Sequence, residues 1–151
     1  RELSIECRKA GKVLSIDNYV PSSGSEYYDI AHQSLVADYI IIMSYDEHYA
    51  GSKEAGSVSS MTFTEKAVSD AIALTGDASR VINGMPFYTR AWITTPATDG
   101  KKGEGVYVED ATNGNYYLSS QAITMDKAKE LYTNAKVKPT FDERTGQNFG
   151  S

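Results

Sequence analysis

Apolar and polar positions form patterns that predict helices and strands in turn over residues 1–90. A stripe of Leu3, Cys7 and Ala10 predicts a helix over residues 2–10 that ends at Gly11. The other predicted elements are a strand over 13–20, a helix over 28–34, a strand over 38–45, a helix over 64–76 and a strand over 80–88. Strands that alternate with helices form right-handed βαβ units, so the sequence predicts a parallel sheet.

The sequence changes from apolar to polar in the middle of the run Ala37-Asp-Tyr-Ile-Ile-Ile-Met-Ser-Tyr-Asp-Glu-His48. Residues 39–43 are apolar without alternation, which is typical of a strand buried on both faces of a parallel sheet. The side chains of Tyr45, Asp46, Glu47 and His48, which follow, are polar. Active sites of β/α barrels lie at the carboxyl ends of the strands, so this change indicates the position of a functional site.

The pattern changes from about residue 95 onward. Short strands over 105–108 and 115–118 flank an Asn113-Gly114 turn, and Thr124 is the predicted N-cap of a helix that reaches about residue 133. A strand over 137–141 and a turn at Thr145-Gly146 follow. We therefore expect two domains, a partial β/α barrel over residues 1–94 and an α+β insertion over residues 95–151.

Three parallel strands cannot close a barrel, and their outer edges lack partners. The chain is therefore either part of a larger barrel or a small doubly wound sheet. Its first residue, Arg1, lies within a helical pattern, so we expect a segment of a longer protein. We also expect such a truncated barrel to be marginally stable or to self-associate.

Charge and cysteine content exclude several classes of function. The formal charge is −5, and the basic residues are scattered, with Lys101-Lys102 as the longest run, so we expect no nucleic-acid partner. No apolar stretch approaches the roughly 20 residues that a membrane span needs. Cys7 is the single cysteine, which excludes an intramolecular disulfide and a thiolate metal cluster. We expect no metal and no cofactor.

Polar and aromatic residues follow each predicted strand. Asp17 lies near the end of the first, Tyr45 and Asp46 lie at the end of the second, and Tyr88, Arg90 and Trp92 lie at or just beyond the end of the third. In a parallel sheet all of these groups project from the same edge. Aromatic rings stack on the apolar faces of sugars, and sugar hydroxyls need planar donors and acceptors, so this combination indicates a carbohydrate ligand.

Two motifs carry a specific resemblance. Met43-Ser44-Tyr45-Asp46 resembles the Met-x-Tyr-Asp motif that ends the sixth strand of glycoside hydrolase family 18 barrels, the chitinase family. Gly84-Met-Pro-Phe-Tyr88-Thr-Arg90-Ala-Trp92 is similar to the seventh-strand motif Gly-x-Pro-x-Tyr-Gly-Arg, with threonine for the second glycine. The sequence from Ser44 to Val58 most resembles the bacterial branch of spore-cortex and cell-wall N-acetylglucosaminidases. The resemblance implies strands five to seven of a (β/α)8 TIM barrel with that family's α+β insertion.

The resemblance also implies a mechanism and roles. In this family the substrate's own N-acetyl carbonyl attacks the anomeric carbon while a glutamic acid protonates the glycosidic oxygen. Tyr45 would hold the acetamido carbonyl, and Asp46 would place negative charge beside the developing oxocarbenium ion. Arg90 would bind a hydroxyl or carboxylate of the substrate, and Tyr88 and Trp92 would line the cleft.

Asp17 and Glu47 complete the predicted set of substrate-binding residues, although Asp17 is equally well explained as a turn residue and Glu47 as an exposed polar side chain. The expected partner is a glycan that contains N-acetylglucosamine, chitin or peptidoglycan. The expected location is extracellular, at the cell wall or spore surface.

The chain departs from the family at the general acid. The motif Asp-x-x-Asp-x-Asp-x-Glu, which supplies the acid at the end of the fourth strand, does not occur in this sequence. We expect that glutamate upstream of Arg1, and we expect the segment alone to be inactive.

Several other interpretations stay open at this point. The chain could belong to a non-catalytic glycan-binding or coat protein that kept the cleft and lost the acid. A doubly wound nucleotide binder would need a glycine-rich phosphate loop, which neither Pro21-Ser-Ser-Gly-Ser25 nor Gly76-Asp77 supplies. Tyr45 and Asp46 could be ordinary residues at a strand end, and Arg90 could form a structural ion pair.

Overall fold

The computed structural model describes residues 1–98 and 102–150. The helices are α1 Glu2–Lys9, α2 Ile30–Ser34, α3 Met61–Thr75 and α4 Met125–Ala135. The strands are β1 Ser15–Tyr19, β2 Tyr39–Met43, β3 Val81–Gly84, β4 Tyr88–Pro96, β5 Val106–Val108, β6 Tyr116–Thr124, β7 Thr140–Asp142 and β8 Gln147–Phe149. Lys101 of the basic run, and residues 99–101 and 151 of the predicted insertion, lie outside the described residues.

The chain forms two compact units. The first comprises Arg1–Tyr45 and Thr62–Met85, and the second comprises Asp46–Met61 and Pro86–Ser151. The loop after β2 groups with the second unit, and the predicted domains over residues 1–94 and 95–151 stay a prediction.

The first unit contains a parallel sheet in the order β1-β2-β3, which confirms the predicted parallel pairing. Tyr19 is level with Met43, and Met43 is level with Gly84, so the carboxyl ends of the three strands lie along one edge. Tyr45 lies two residues after the end of β2, at this edge.

One face of this sheet forms the core of the first unit. Ile40 and Ile42 of β2 are fully buried against Ala67 and Ala71 of α3 and Ile30 of α2. These positions alternate along β2 because successive side chains of a strand point to opposite faces.

The opposite face of the sheet is open among the described residues. Tyr19, Tyr39 and Ile82 are 55%, 40% and 42% exposed. The prediction of a strand buried on both faces is therefore wrong for this chain, because helices cover only the Ile40 and Ile42 side.

Helix α1 has the predicted extent and ends before Gly11, whose φ is +63°. The apolar stripe that predicted this helix is not part of the core: Leu3 is 63% exposed, Cys7 is half-buried, and Ser4 is the buried residue of the helix.

The second unit contains an antiparallel sheet in the order β4-β6-β5, helix α4 and the β7–β8 hairpin. The single strand predicted over 80–88 is wrong: β3 ends at Gly84, and Tyr88 begins β4, which pairs with β6. Pro86 lies between them and has no N–H to donate to a ladder, which explains the break.

The insertion contains most of its predicted elements. Thr124 caps α4 by accepting a hydrogen bond from the Lys127 N–H at 3.2 Å, and Gly114 adopts φ +88° in the turn before β6. The strand predicted over 137–141 is wrong in extent, because β7 begins at Thr140, directly after Pro139.

Candidate active site

Ser44 joins the carboxyl ends of β2 and β3. Its side chain is fully buried, and its hydroxyl donates to Asn83 Oδ1 and to the Gly84 carbonyl oxygen at 3.2 Å. The half-buried Tyr45 follows, and its N–H donates to the Met43 carbonyl oxygen at 2.9 Å. The position of Tyr45 is therefore fixed by backbone and side-chain bonds at the end of the sheet. The partnership of Ser44 with Asn83 has no local sequence signal, because the two residues are 39 positions apart.

Asp46 occupies a strained backbone conformation. Its φ is +58°, in the left-handed region that few non-glycine residues adopt and that aspartate tolerates better than most. Such conformations persist where the surrounding structure fixes them, and they concentrate at functional sites.

The carboxylate of Asp46 meets Tyr88 and Arg90. The Tyr88 hydroxyl donates to Asp46 Oδ1 at 2.7 Å, and Arg90 Nη2 lies 3.5 Å from the same oxygen. The structure thus brings together three of the residues that the sequence singled out, within the second unit.

Arg90 is more deeply buried than Asp46, since its side chain is 12% exposed while that of Asp46 is 44% exposed. Nη1 donates to Ser120 Oγ at 3.1 Å, whereas the buried Nε has no hydrogen-bond acceptor within the described residues. A guanidinium that has lost most of its water needs a counter-charge, and Asp46 supplies it.

Tyr88, Arg90 and Trp92 occupy alternate positions of β4, so the pleat directs all three to one face of the strand. The indole N–H of Trp92 donates to the Gly56 carbonyl oxygen at 3.0 Å. A Cβ at Gly56 would lie 2.4 Å from the His48 ring, so a larger residue here would displace the His48 side chain. Trp92 therefore anchors the loop that carries Asp46.

Glu47 closes the same loop on itself. Its carboxylate accepts the Ser60 N–H at 2.7 Å and the Ser60 hydroxyl at 3.0 Å, and its own N–H donates to Val58 O at 2.9 Å. Both carboxylate oxygens thus contact the loop. The substrate-binding role expected for Glu47 stays a prediction.

Gln147, in the β7–β8 hairpin, holds the loop that carries Asp46. Its Oε1 accepts the Ser57 hydroxyl at 2.5 Å, and its Nε2 donates to the Ser59 carbonyl oxygen. The Met61 N–H also donates to Thr145 O at 2.9 Å. Sequence reasoning missed Gln147, because about 90 residues separate it from the loop and no motif marks the pair.

Asp17 lies in the first unit, exposed on β1 and level with Ile41 of β2. His48 and Glu54 lie in the second unit at a cavity of about 340 Å³, with His48 Nε2 3.6 Å from Glu54 Oε1.

Across residues 1–98 and 102–150, no three His, Cys, Asp or Glu side chains are placed to share a metal ion. Within the same residues, no helix has the length and apolar character to cross a membrane.

The sequence matches a known protein family. A model of glycosyl hydrolases family 18 matches residues 1–150, and the chain belongs to that family, which confirms the resemblance read from its two motifs.

Relatives and solved structures agree with this assignment. YdhD of Bacillus subtilis, described as a sporulation-specific glycosylase, is 33% identical over 99 residues, or 62% of this chain and 23% of that protein. The YdhD crystal structure has a TM-score of 0.76 at 23% identity and covers 99% of this chain and 44% of that chain.

Two further structures have the same α/β fold. The C-terminal domain of a protein described as a chitinase from Desulfitobacterium hafniense has a TM-score of 0.72 at 26% identity, covering 93% of this chain and 38% of that one. The spore cortex-lytic enzyme SleL of Bacillus megaterium has a TM-score of 0.71 at 17% identity, covering 97% and 30%. The chain spans less than half the length of each of these proteins.

Proposed function

We propose that this chain supplies the substrate-orienting part of an active site that hydrolyses β-1,4-linked N-acetylglucosamine glycans, chitin or peptidoglycan. In this proposal β1, β2 and β3 are strands five to seven of a (β/α)8 barrel, and the sheet from β4 to β6 belongs to its insertion. The supporting observation is that Asp46, the residue after Tyr45 in the chain, contacts Tyr88 and Arg90.

The reaction is substrate-assisted. The acetamido carbonyl oxygen of the substrate forms a bond to the anomeric carbon as the glycosidic C–O bond breaks, and a general acid gives its proton to the leaving oxygen. Tyr45 donates its phenolic hydrogen bond to the acetamido oxygen and holds it in line. Because only a correctly placed amide can attack, this orientation lowers the barrier by proximity.

Asp46 stabilises the positive charge that develops during this step. The Tyr88 hydroxyl and the Arg90 guanidinium hold its carboxylate in place, so little reorganisation is needed as charge develops at the sugar. One positioned group of this kind contributes about 3–4 kcal/mol to barrier lowering.

The general acid comes from outside these residues in this proposal, since the family's acid motif is absent from the sequence. The 151-residue chain should therefore bind N-acetylglucosamine oligomers without hydrolysing them. Reducing-sugar release from chitin tetramer by the purified chain would contradict this assignment of the acid.

The role of Tyr45 is tested in the full-length protein by Tyr45→Phe. We expect kcat to fall by roughly 100-fold or more with a much smaller change in KM, since the hydrogen bond acts mainly in the transition state. Tyr107→Phe, at a tyrosine of β5 that is 43% exposed, serves as the matched control and should leave kcat unchanged. Equal kinetics for both variants would contradict the role.

A non-catalytic glycan-binding protein is the second candidate, because this sequence contains the proposed binding residues and does not contain the acid motif. A full-length protein that binds the tetramer without cleaving it would favour this candidate. In both cases we place the protein outside the cell, at the wall or spore surface, by analogy with the sporulation-specific YdhD and the spore cortex-lytic SleL.

A further inference from the structure

His48 lies two residues after Asp46 and binds the opposite side of the loop. Its backbone N–H donates to the Ser57 carbonyl oxygen at 3.2 Å, and its ring Nδ1 lies 2.9 Å from the same oxygen. Because a carbonyl oxygen only accepts hydrogen bonds, Nδ1 must carry a proton and donate it. One carbonyl oxygen therefore holds both the backbone and the side chain of His48.

The ring of His48 also packs closely on Gly56. A Cβ at Gly56 would lie 2.4 Å from the ring carbon Cε1, and the His48 side chain is only 22% exposed. The other ring nitrogen, Nε2, lies 3.6 Å from Glu54 Oε1, but the Glu54 side chain is 83% exposed, so water screens this pair. The bond from Nδ1 is therefore the polar contact that fixes the ring.

The segment that receives His48 is itself held in place. The Gly56 carbonyl oxygen accepts the indole N–H of Trp92 at 3.0 Å, and the Ser57 hydroxyl donates to Gln147 Oε1 at 2.5 Å. Trp92 lies two residues after Arg90 on β4. The Ser57 carbonyl oxygen thus belongs to a segment that is attached to the strand carrying Arg90, all within the second unit.

Asp46 depends on such an anchor. It keeps a left-handed φ of +58°, a conformation that persists only where the surrounding structure fixes it. Glu47 and His48 follow it, and the backbone N–H of each donates across the loop, at 2.9 and 3.2 Å. A change of the backbone at Asp46 would move its carboxylate away from Tyr88 and Arg90.

We propose that His48 is a positioning residue for Asp46. Its Nδ1–H ties the chain after Asp46 to the Ser57 carbonyl oxygen and so keeps the carboxylate in reach of Tyr88 and Arg90. The ring needs no charge for this task, because Nδ1 carries a proton in the required neutral tautomer as well as in the protonated ring. This inference rests on the proposed function, in which Asp46 acts on the substrate.

The test compares His48→Asn with His48→Gln in the full-length protein. The amide nitrogen of asparagine can occupy the place of Nδ1 and donate to Ser57, whereas that of glutamine corresponds to Nε2. We expect His48→Gln to lower kcat by about 10- to 100-fold, since small displacements of a reacting group are costly. KM should change by less than about 3-fold, because the effect falls on the reaction step.

His48→Asn should keep kcat within about 3-fold of the unmodified protein, measured on chitin tetramer or peptidoglycan, whichever that protein cleaves. A role in packing alone predicts the opposite order, because asparagine is smaller than glutamine and leaves more space against Gly56. His32→Gln, at a histidine whose side chain is 79% exposed in the first unit, is the matched control and should leave kcat unchanged.

Two NMR measurements on the full-length protein do not need turnover. At about two pH units above the ordinary imidazole pKa, the ¹⁵N spectrum should show the proton of His48 on Nδ1, in a signal that His48→Asn removes. The ¹³C shift of the Asp46 carboxyl should move in His48→Gln and stay in place in His48→Asn. A proton on Nε2, or an Asp46 shift that both variants leave unchanged, would overturn the proposal.

Asp46→Asn separates this inference from the proposed function. If Asp46→Asn lowers kcat by about 100-fold or more while His48→Gln and His48→Asn have equal kinetics, His48 does not position Asp46 and the proposed function stands. If Asp46→Asn leaves kcat unchanged, the proposed function fails, and the positioning role on the substrate fails with it. If the unmodified protein cleaves neither substrate, the proposed function fails and the two NMR measurements decide whether His48 holds Asp46.

Discussion

Asp46 and its partners show which residues of the site can be predicted from the sequence alone. Tyr88, Arg90 and Asp46 were found because each follows a predicted strand end and belongs to a recognisable motif, and the structure joins them within 3.5 Å. Ser120, which accepts a hydrogen bond from Arg90, was not found, because its neighbours on β6 carry no motif and its partner comes from strand pairing.

The first prediction concerns Arg90. Arg90→Lys replaces a planar fork that serves Asp46 and Ser120 with a single ammonium, so one of the two contacts is lost inside a nearly buried site. We expect a loss of about 1–2 kcal/mol in the free energy of unfolding, measured with urea. Arg144→Lys, at a side chain that is 81% exposed, should change it by less than about 0.5 kcal/mol. Equal effects would contradict the buried role of Arg90.

The second prediction concerns pH. The Thr145 hydroxyl, which donates to Asp142 Oδ2 at 2.8 Å, is the main cause that holds the pKa of Asp142 below its ordinary value, and the Arg144 N–H adds to it. Because the folded-state pKa is lowered, the stabilisation is present above the unfolded pKa and is lost as pH falls through the folded value.

Thr145→Val should therefore raise the pKa of Asp142 toward the ordinary range, as measured by carboxyl NMR titration. Asp77 is the internal control, since the Ser79 side chain and N–H lower its pKa and the substitution does not touch them. An unchanged Asp142 titration would show that the hydroxyl is not the cause.

Helices and strands were predicted best where a local signal marks their ends. The Thr124 cap of α4 and the stop of α3 at Gly76, whose φ is +70°, are local signals and were found. The division of residues 80–96 into β3 and β4 was missed, because the apolar pattern continues across it and only the antiparallel pairing with β6 shows the change of sheet.

The third prediction concerns the contact between the β7–β8 hairpin and the loop after β2. Gln147→Ala removes both contacts to Ser57 and Ser59, so we expect the amides of residues 56–60 to exchange at least about 10-fold faster with solvent. The amides of β1 and β2 should not change. Gln121→Ala, at an exposed position of β6, is the control. Similar exchange rates of the amides of residues 56–60 in both variants would show that Gln147 does not hold this loop.

At the scale of the whole molecule, one face of the parallel sheet is open among the described residues. Family membership and the parallel order of three strands followed from the sequence, but the open apolar face of the sheet did not, because the apolar run of β2 predicts burial on both sides. In our proposal this face points into a barrel that the other strands would complete.

The fourth prediction follows from that face. Because unpaired strand edges and exposed apolar surface promote association, the chain alone should sediment above its monomer mass of 16.5 kDa at high concentration. Ile82→Lys, on β3 at the sheet edge, should reduce association. Ile93→Lys, an exposed isoleucine of β4, should not. A stable monomer at all concentrations would contradict the open-barrel interpretation.

The most direct measurement of the proposed mechanism compares two substrates of the full-length protein that differ only in the amide. Replacing the N-acetyl group with N-trifluoroacetyl weakens the carbonyl oxygen as a nucleophile and leaves the sugar, the leaving group and the contacts of Asp46 in place. If the ligand's amide attacks the anomeric carbon under the guidance of Tyr45, kcat should fall by at least about 10-fold, or 1.4 kcal/mol in the barrier. An unchanged kcat would contradict it.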